Sequence, residues 1–182
     1  LLDEVNQLLD FRKLDVNGHT LQPSVGDIVL FVKDLCNSFD ELMQRKSIKL
    51  SFASSIDHLY ARFDEDKLSK ALLNILSNAH KFTPANGEVK VEMELIELPD
   101  NKTEKSIRIR ISDSGIGIPT NKLDKIFERF YREDKSRARE SGGYGLGLAI
   151  AKAITTACKG SIKVYSKKNE YTEFTVKIPV AR

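Results

Sequence analysis

The sequence predicts an α+β fold: a two-layer sandwich in which one mixed β-sheet carries helices on one face. Three observations predict it. Runs that alternate apolar and polar residues, as strands do, recur from residue 48 to the C-terminal region. Stripes at helical period lie between those runs. Neighbouring strands are often joined by short turns, which favours a mixed or antiparallel sheet over a regular β-α-β alternation.

The elements follow in order. Leu1, Leu2, Val5, Leu8 and Leu9 repeat at helical spacing, and Val16-Asn17-Gly18 ends the pattern. Residues 1–17 are therefore expected as a short helix of their own and residues 18–182 as one domain. A second helix is expected after Ser24 to Asp27, running to about Arg45. Residues 48–52 alternate as a strand, with residues 59–63 as the expected hairpin partner. Asp64 is placed to cap a long helix that Thr83-Pro84 stops near Phe82. Strands are expected at 88–98 and 106–112, with Asn101-Lys102 in the turn between them. A glycine-rich loop covers 113–119, and a short helix is expected over 121–131. Residues 132–143 are charged and show no period. A helix is expected from near Gly145 to Lys159-Gly160, then strands at 161–166 and 172–179.

Composition removes several classes of function. The 182 residues are 41% hydrophobic and 30% charged, enough to bury a core. With 29 basic and 26 acidic residues the net charge is only +3, without the basic excess of a nucleic-acid binder. The two cysteines, Cys36 and Cys158, show no CxxC spacing, which argues against a disulfide framework or a zinc site and for reduced thiols. Apolar runs such as Ile28 to Val32 fall far short of a bilayer span. GxxxxGK[ST] does not occur. GxGxxG fails because Thr120 or Leu148 stands where its third glycine would be.

Three motifs carry chemistry. On the helix over 64–82, Asn74 and Asn78 are one turn apart at the edge of an apolar face made by Leu68, Ala71, Leu72, Ile75, Leu76 and Ala79. Two amide oxygens so placed suit a hard cation such as Mg²⁺, which takes few protein ligands and completes its shell with phosphates and water. Lys81 nearby could counter phosphate charge. Taken alone, two ordinary polar residues at a helix boundary explain the pair better. The second motif, Asp113-Ser114-Gly115-Ile116-Gly117-Ile118-Pro119, follows an alternating strand. Its carboxylate can accept a hydrogen bond from a purine amino group, and its glycines let backbone approach a flat ring; a tight turn is the plainer alternative. The third, Gly142-Gly143-Tyr144-Gly145-Leu146-Gly147-Leu148, opens a helix, where freed amides and the helix N-terminus can hold an anion; a hinge with a helix cap would also fit.

In order, these motifs resemble the N, G1 and G2 boxes of the histidine-kinase catalytic domain, a relative of the gyrase, Hsp90 and MutL ATPases. Ile126-Phe127-Glu128-Arg129-Phe130-Tyr131-Arg132 is similar to the family's F box, and the likeness covers roughly residues 24–179. The resemblance implies the Bergerat-type ATP-binding fold, with ATP and Mg²⁺ as ligands. It implies Mg²⁺ on Asn78 with Asn74 assisting, Lys81 on the phosphates, Phe82 lining the pocket and Asp113 on the adenine amino group. Gly115 and Gly117 would shape the pocket. Residues 120–143 would form a mobile lid, with Gly143, Gly145, Leu146 and Gly147 closing over the phosphates. Ile118, Phe130, Leu148 and Thr175 complete the expected nucleotide set. Lys135, Arg137 and Arg139, in that lid, are read as solvated rather than catalytic.

Departures from the family pattern are informative. A third glycine box often reads Gly-Thr-x-Phe, and here Tyr171-Thr172-Glu173-Phe174 lacks the glycine, so a changed turn is expected. Cys158 stands where many relatives carry histidine. The ATPase relatives carry a glutamate base one turn before the Mg²⁺-binding asparagine. Asn74 stands there, and an amide cannot take a proton at neutral pH. That favours phosphoryl transfer over hydrolysis.

The acceptor would be a histidine on a dimerisation hairpin. His19, His58 and His80 all lack the family's phosphorylation context, so the acceptor is expected outside this sequence. Residues 1–17 then read as the end of the second hairpin helix, as in hybrid two-component sensors. The expected partners are that hairpin and a response-regulator receiver domain, with no nucleic acid bound. The chain is expected as a cytoplasmic monomer, and its parent as a homodimeric inner-membrane sensor. A degenerate ATP-sensing module without transfer activity and a protein-interaction domain are the alternatives.

Overall fold

A computed structural model describes residues 5–6, 9, 21–98, 101–131 and 146–180. Its elements are β1 (Ser24–Asp27), α1 (Ile28–Arg45), β2 (Lys49–Ser54), β3 (Tyr60–Phe63), α2 (Glu65–Phe82), β4 (Glu88–Leu98) and β5 (Asn101–Asp113). A 3-10 turn (Thr120–Lys122), α3 (Gly147–Ala157), β6 (Ser161–Lys167) and β7 (Tyr171–Val180) follow. Val5, Asn6 and Leu9 are helical, with Val5 and Leu9 exposed. The rest of the expected helix over residues 1–17 lies outside the described residues.

Five strands form one mixed sheet in the order β2-β4-β5-β7-β6, parallel between β2 and β4 and antiparallel elsewhere. Period-two alternation sorts its two faces. Val89, Val91, Met93, Ile107, Ile109, Ile111, Phe174, Val176 and Ile178 are buried together with apolar residues of α1, α2 and α3. The other face carries Glu92, Glu94, Arg108, Arg110 and Glu173, with Arg110 Nε 3.5 Å from Glu92 and 3.8 Å from Glu173. The expected two-layer α+β sandwich is the observed one.

Local chemistry sets the helix boundaries. Asp27 caps α1, accepting from the Val29 and Leu30 amides at 3.1 and 3.4 Å. Asp64 caps α2, accepting from the Lys67 amide at 3.0 Å, while its second oxygen takes the Gln22 amide at 2.8 Å. Leu68, Leu72, Ile75 and Leu76 of α2 are at most 2% exposed. Burial of each such side chain is worth about 1.5–3 kcal/mol.

Four expectations need correction. Residues 60–63 do not pair with β2. They pair antiparallel with β1, the segment just before α1, which carries no strand alternation of its own. The pairing is anchored by Asp27, which accepts the Leu59 amide at 3.2 Å, and by the Ile28 amide on the Leu59 carbonyl at 2.9 Å. Asn101 belongs to β5, opposite Leu98, rather than to a turn. The expected helix over 121–131 is a 3-10 turn followed by further turns, because Ile126 and Phe127 pack inward while Phe130 takes a left-handed φ of 60°. Finally, α3 begins at Gly147 rather than near Gly145.

Candidate nucleotide-binding site

The helix that carries Asn74 and Asn78 packs its apolar face on the sheet, which leaves both amides half-buried at its edge. The start of α3 stands directly against Asn74. A Cβ added to Gly147 would lie 3.2 Å from Asn74 Oδ1 and 3.5 Å from its Cγ. Glycine thus lets the third motif's helix approach the first motif's amide. Leu146 is fully buried, and its carbonyl accepts the Ile150 amide at 2.9 Å. Leu148 is half-buried against the core.

Asp113 ends β5 on the helix-covered face and is 7% exposed. Burial pushes its carboxyl up to about 6, against the opposing pull of the Gly115 amide, which donates to Oδ1 at 2.9 Å. Gly115 has no room for a side chain: a Cβ would lie 2.6 Å from Asp113 Oδ1 and 2.6 Å from the Phe82 carbonyl oxygen. The Ile116 amide donates to that same Phe82 carbonyl at 3.2 Å. The end of α2 and the Asp113 loop are thereby joined through backbone.

A second prop comes from the β6–β7 turn. Gly117 takes a φ of +67°, and a Cβ there would lie 2.1 Å from the Lys167 carbonyl oxygen. The Ile118 amide donates to Ser166 Oγ at 2.8 Å. That hydroxyl also bonds the Tyr171 carbonyl at 2.7 Å and meets Thr172 Oγ1 at 2.8 Å. Where the third glycine box lacks its glycine, the turn at 168–170 places Asn169 at a φ of 65°, and its amide donates to the Ile116 carbonyl. Asn tolerates that conformation better than most residues do, and Tyr171, where the glycine is missing, already belongs to β7.

The remaining candidates divide. Lys81 is exposed, with Nζ 5.2 Å from the Phe82 ring centre. Phe82 is 43% and Phe130 60% exposed. Gly143 and Gly145, with Lys135, Arg137 and Arg139, lie outside the described residues. Thr175 is a correction. It is paired with Arg110 and lies between the buried Phe174 and Val176, so strand alternation puts it on the charged face, away from α2. Thr172 is the residue across from Asp113, buried and facing the helix side. Period-two counting from Phe174 would have selected it. Thr83 also escaped the sequence reading: it is fully buried just after α2, and its Oγ1 has no hydrogen-bond partner among the described residues.

The geometry fits a purine nucleotide. A buried carboxylate stands beside a glycine packed on the last carbonyl of α2, and two neutral amides lie at the edge of that helix, further toward its start. Among the described residues, no cluster of three or more His, Cys, Asp or Glu could hold a metal. A hard cation on Asn74 and Asn78 would need oxygens from the nucleotide itself, which suits Mg²⁺.

Comparison with known proteins shows the family. The family model described as histidine kinase-, DNA gyrase B-, and HSP90-like ATPase matches residues 63–182. The chain is 36% identical over 180 residues to hybrid signal transduction histidine kinase D of Dictyostelium discoideum, covering 99% of this chain and 12% of that protein. It is 35% identical over 175 residues to sensor protein kinase WalK of Staphylococcus haemolyticus, covering 96% of this chain and 28% of that one. Among solved structures, full-length ShkA in complex with AMPPNP superimposes with a TM-score of 0.82 at 27% identity, over 99% of this chain and 36% of ShkA. The nucleotide-free catalytic domain of histidine kinase ThkA gives 0.72 at 25% identity, over 87% of this chain and 98% of that domain. Sequence and fold both match, and the chain belongs to the histidine kinase-, DNA gyrase B- and HSP90-like ATPase family, with histidine kinase catalytic domains as its relatives.

Proposed function

We propose that this chain binds Mg-ATP at the Asn74–Asp113 site and passes the γ-phosphate to a histidine on a dimerisation hairpin outside this sequence. One observation carries the reading: α2 touches both glycine motifs, Gly147 against Asn74 and Gly115 against the Phe82 carbonyl. The helix that carries the first motif thus meets the other two.

Asp113, as the carboxylate, would accept from the adenine amino group, while Gly115 and Gly117 let its loop pack tightly on the Phe82 and Lys167 backbone beside it. Asn78, with Asn74, would hold Mg²⁺, and Lys81 would face the phosphates. When bound, Mg²⁺ would supply charge neutralisation to the phosphate oxygens. Asn74 offers no general base for water, so the residues here position and neutralise rather than activate a hydrolytic nucleophile.

In this reading residues 1–17 are the tail of the second hairpin helix and residues 18–182 the catalytic domain. The whole protein would be a homodimeric two-component sensor that delivers phosphate to a receiver domain, with this domain on the cytoplasmic side. Among the described residues no helix is long and apolar enough to cross a membrane.

The test is transfer in trans. The 182-residue chain, incubated with Mg-ATP labelled at the γ-phosphate, is expected to label little of itself. On addition of a histidine-bearing hairpin from a related kinase, acid-labile phosphohistidine should form on the hairpin. ATP binding without any transfer to several competent hairpins would replace this reading with that of an ATP-sensing module.

A further inference from the structure

Lys46 follows α1 and reaches across to the end of α2. Its Nζ donates to the His80 carbonyl at 2.7 Å and to the Lys81 carbonyl at 3.1 Å. The last carbonyls of a helix have no partner inside it, and a cation there also complements the helix dipole. Lys46 is therefore a cap that α2 receives from a different element.

The contact is part of a longer seam. The Asn86 amide donates to the Ser47 carbonyl at 2.9 Å, and the Lys49 amide donates to the Gly87 carbonyl at 3.0 Å. Ser47 sits at a φ of 58°, which turns the chain so that both neighbours can reach. The seam runs alongside the residues that build the site. Phe82 follows Lys81 directly, and its carbonyl takes the Ile116 amide at 3.2 Å. Gly115, closed against that same carbonyl, donates its amide to Asp113. A chain of hydrogen bonds and single backbone steps thus connects Lys46 Nζ to the Asp113 carboxyl.

A cap that only steadied α2 could sit at any helix end. This one sits on the carbonyls of His80 and Lys81, the latter a candidate phosphate contact. We propose that Lys46 is a positioning residue for the nucleotide site, holding the last turn of α2 and hence the placement of Lys81 and of the Phe82–Ile116 bond that orients the Asp113 loop. This inference rests on the nucleotide reading of the site.

Calorimetric titration of the 182-residue chain with ATP and Mg²⁺ tests it, at a temperature where circular dichroism shows every variant folded. Lys46→Met should weaken binding roughly 5- to 10-fold, part of what one lost charge-assisted hydrogen bond can cost. Its Ile116 amide should exchange hydrogen faster. Lys46→Arg, which keeps donors and charge, should restore binding to within about twofold. A folded Lys46→Met that binds like the parent chain overturns the proposal, and so does a lowered Tm with unchanged affinity, or an Arg variant as weak as the Met one. Should Lys46→Met not fold, Lys46→Gln carries the same comparison. Failure of the parent chain itself to bind ATP would instead remove the nucleotide reading, and this inference with it.

Discussion

Asp113 shows how a single residue can be held at a cost to the fold. Its carboxyl is buried, and burial raises its pKa from 3.8 to about 6. Below about pH 4 the acid form is present whether the chain is folded or not, and no penalty arises. As pH rises from there to about 6, the unfolded chain ionises first, and the folded state loses stability by about 3 kcal/mol. Asp113→Asn keeps the oxygen that accepts the Gly115 amide and removes the charge. It should therefore raise the Tm of the ligand-free chain at pH 8, with the gain vanishing toward pH 4, as thermal melts across that range would show. Binding should move the other way. The carboxylate accepts from an adenine amino group more strongly than the neutral acid does, so ATP affinity of the unaltered chain should fall as pH drops through about 6. The candidate role of Asp113 was readable from its place after an alternating strand. Its burial was not, because that depends on Thr172 and Val89, which lie far along the chain and are paired to it only by sheet register.

Among the elements, α2 does most to join fold and site. Its apolar stripe was legible because a 3.6-residue period is a local signal, and its cap Asp64 and stop at Thr83-Pro84 are local too. Strand partners were not legible. β3 lies a few residues beyond β2 yet pairs with β1, because Asp27 ties Leu59 to the start of α1. Residues 121–131 carry helix-like spacing, yet tertiary packing overrides it. Phe127 sets its ring 6.2 Å from Phe174, edge to face, and lies under Lys152 at 5.5 Å. The meeting of α3 with α2 yields a sharper expectation. Gly147→Ala gains helix propensity, up to about 1 kcal/mol. Its new Cβ would press on Asn74 at 3.2 Å. The variant should melt within about 1 kcal/mol of the parent and bind Mg-ATP more weakly, a pairing that thermal denaturation and calorimetry together would reveal. Equal affinity would mean that Asn74 is free to shift without consequence.

At the scale of the whole molecule, the sheet divides two tasks. One face buries the core and presents Asp113 to the helices; the other is a lattice of charges around Arg108 and Arg110. Alternation made that division readable strand by strand, and it also places Thr175, between the buried Phe174 and Val176, on the charged face. The resemblance to histidine-kinase catalytic domains was legible because it rests on several motifs in order, while the glycines at 143 and 145 lie outside the described residues. The account stands or falls on one pocket that has an adenine end and a metal end. Calorimetry with ATP, in Mg²⁺ and in EDTA, on the parent chain, Asp113→Asn and Asn78→Ala measures both ends at once. Asp113→Asn should lose affinity in either condition, whereas Asn78→Ala should lose only the increment that Mg²⁺ adds. Two variants that both bind as the parent does, with and without Mg²⁺, would contradict the shared site.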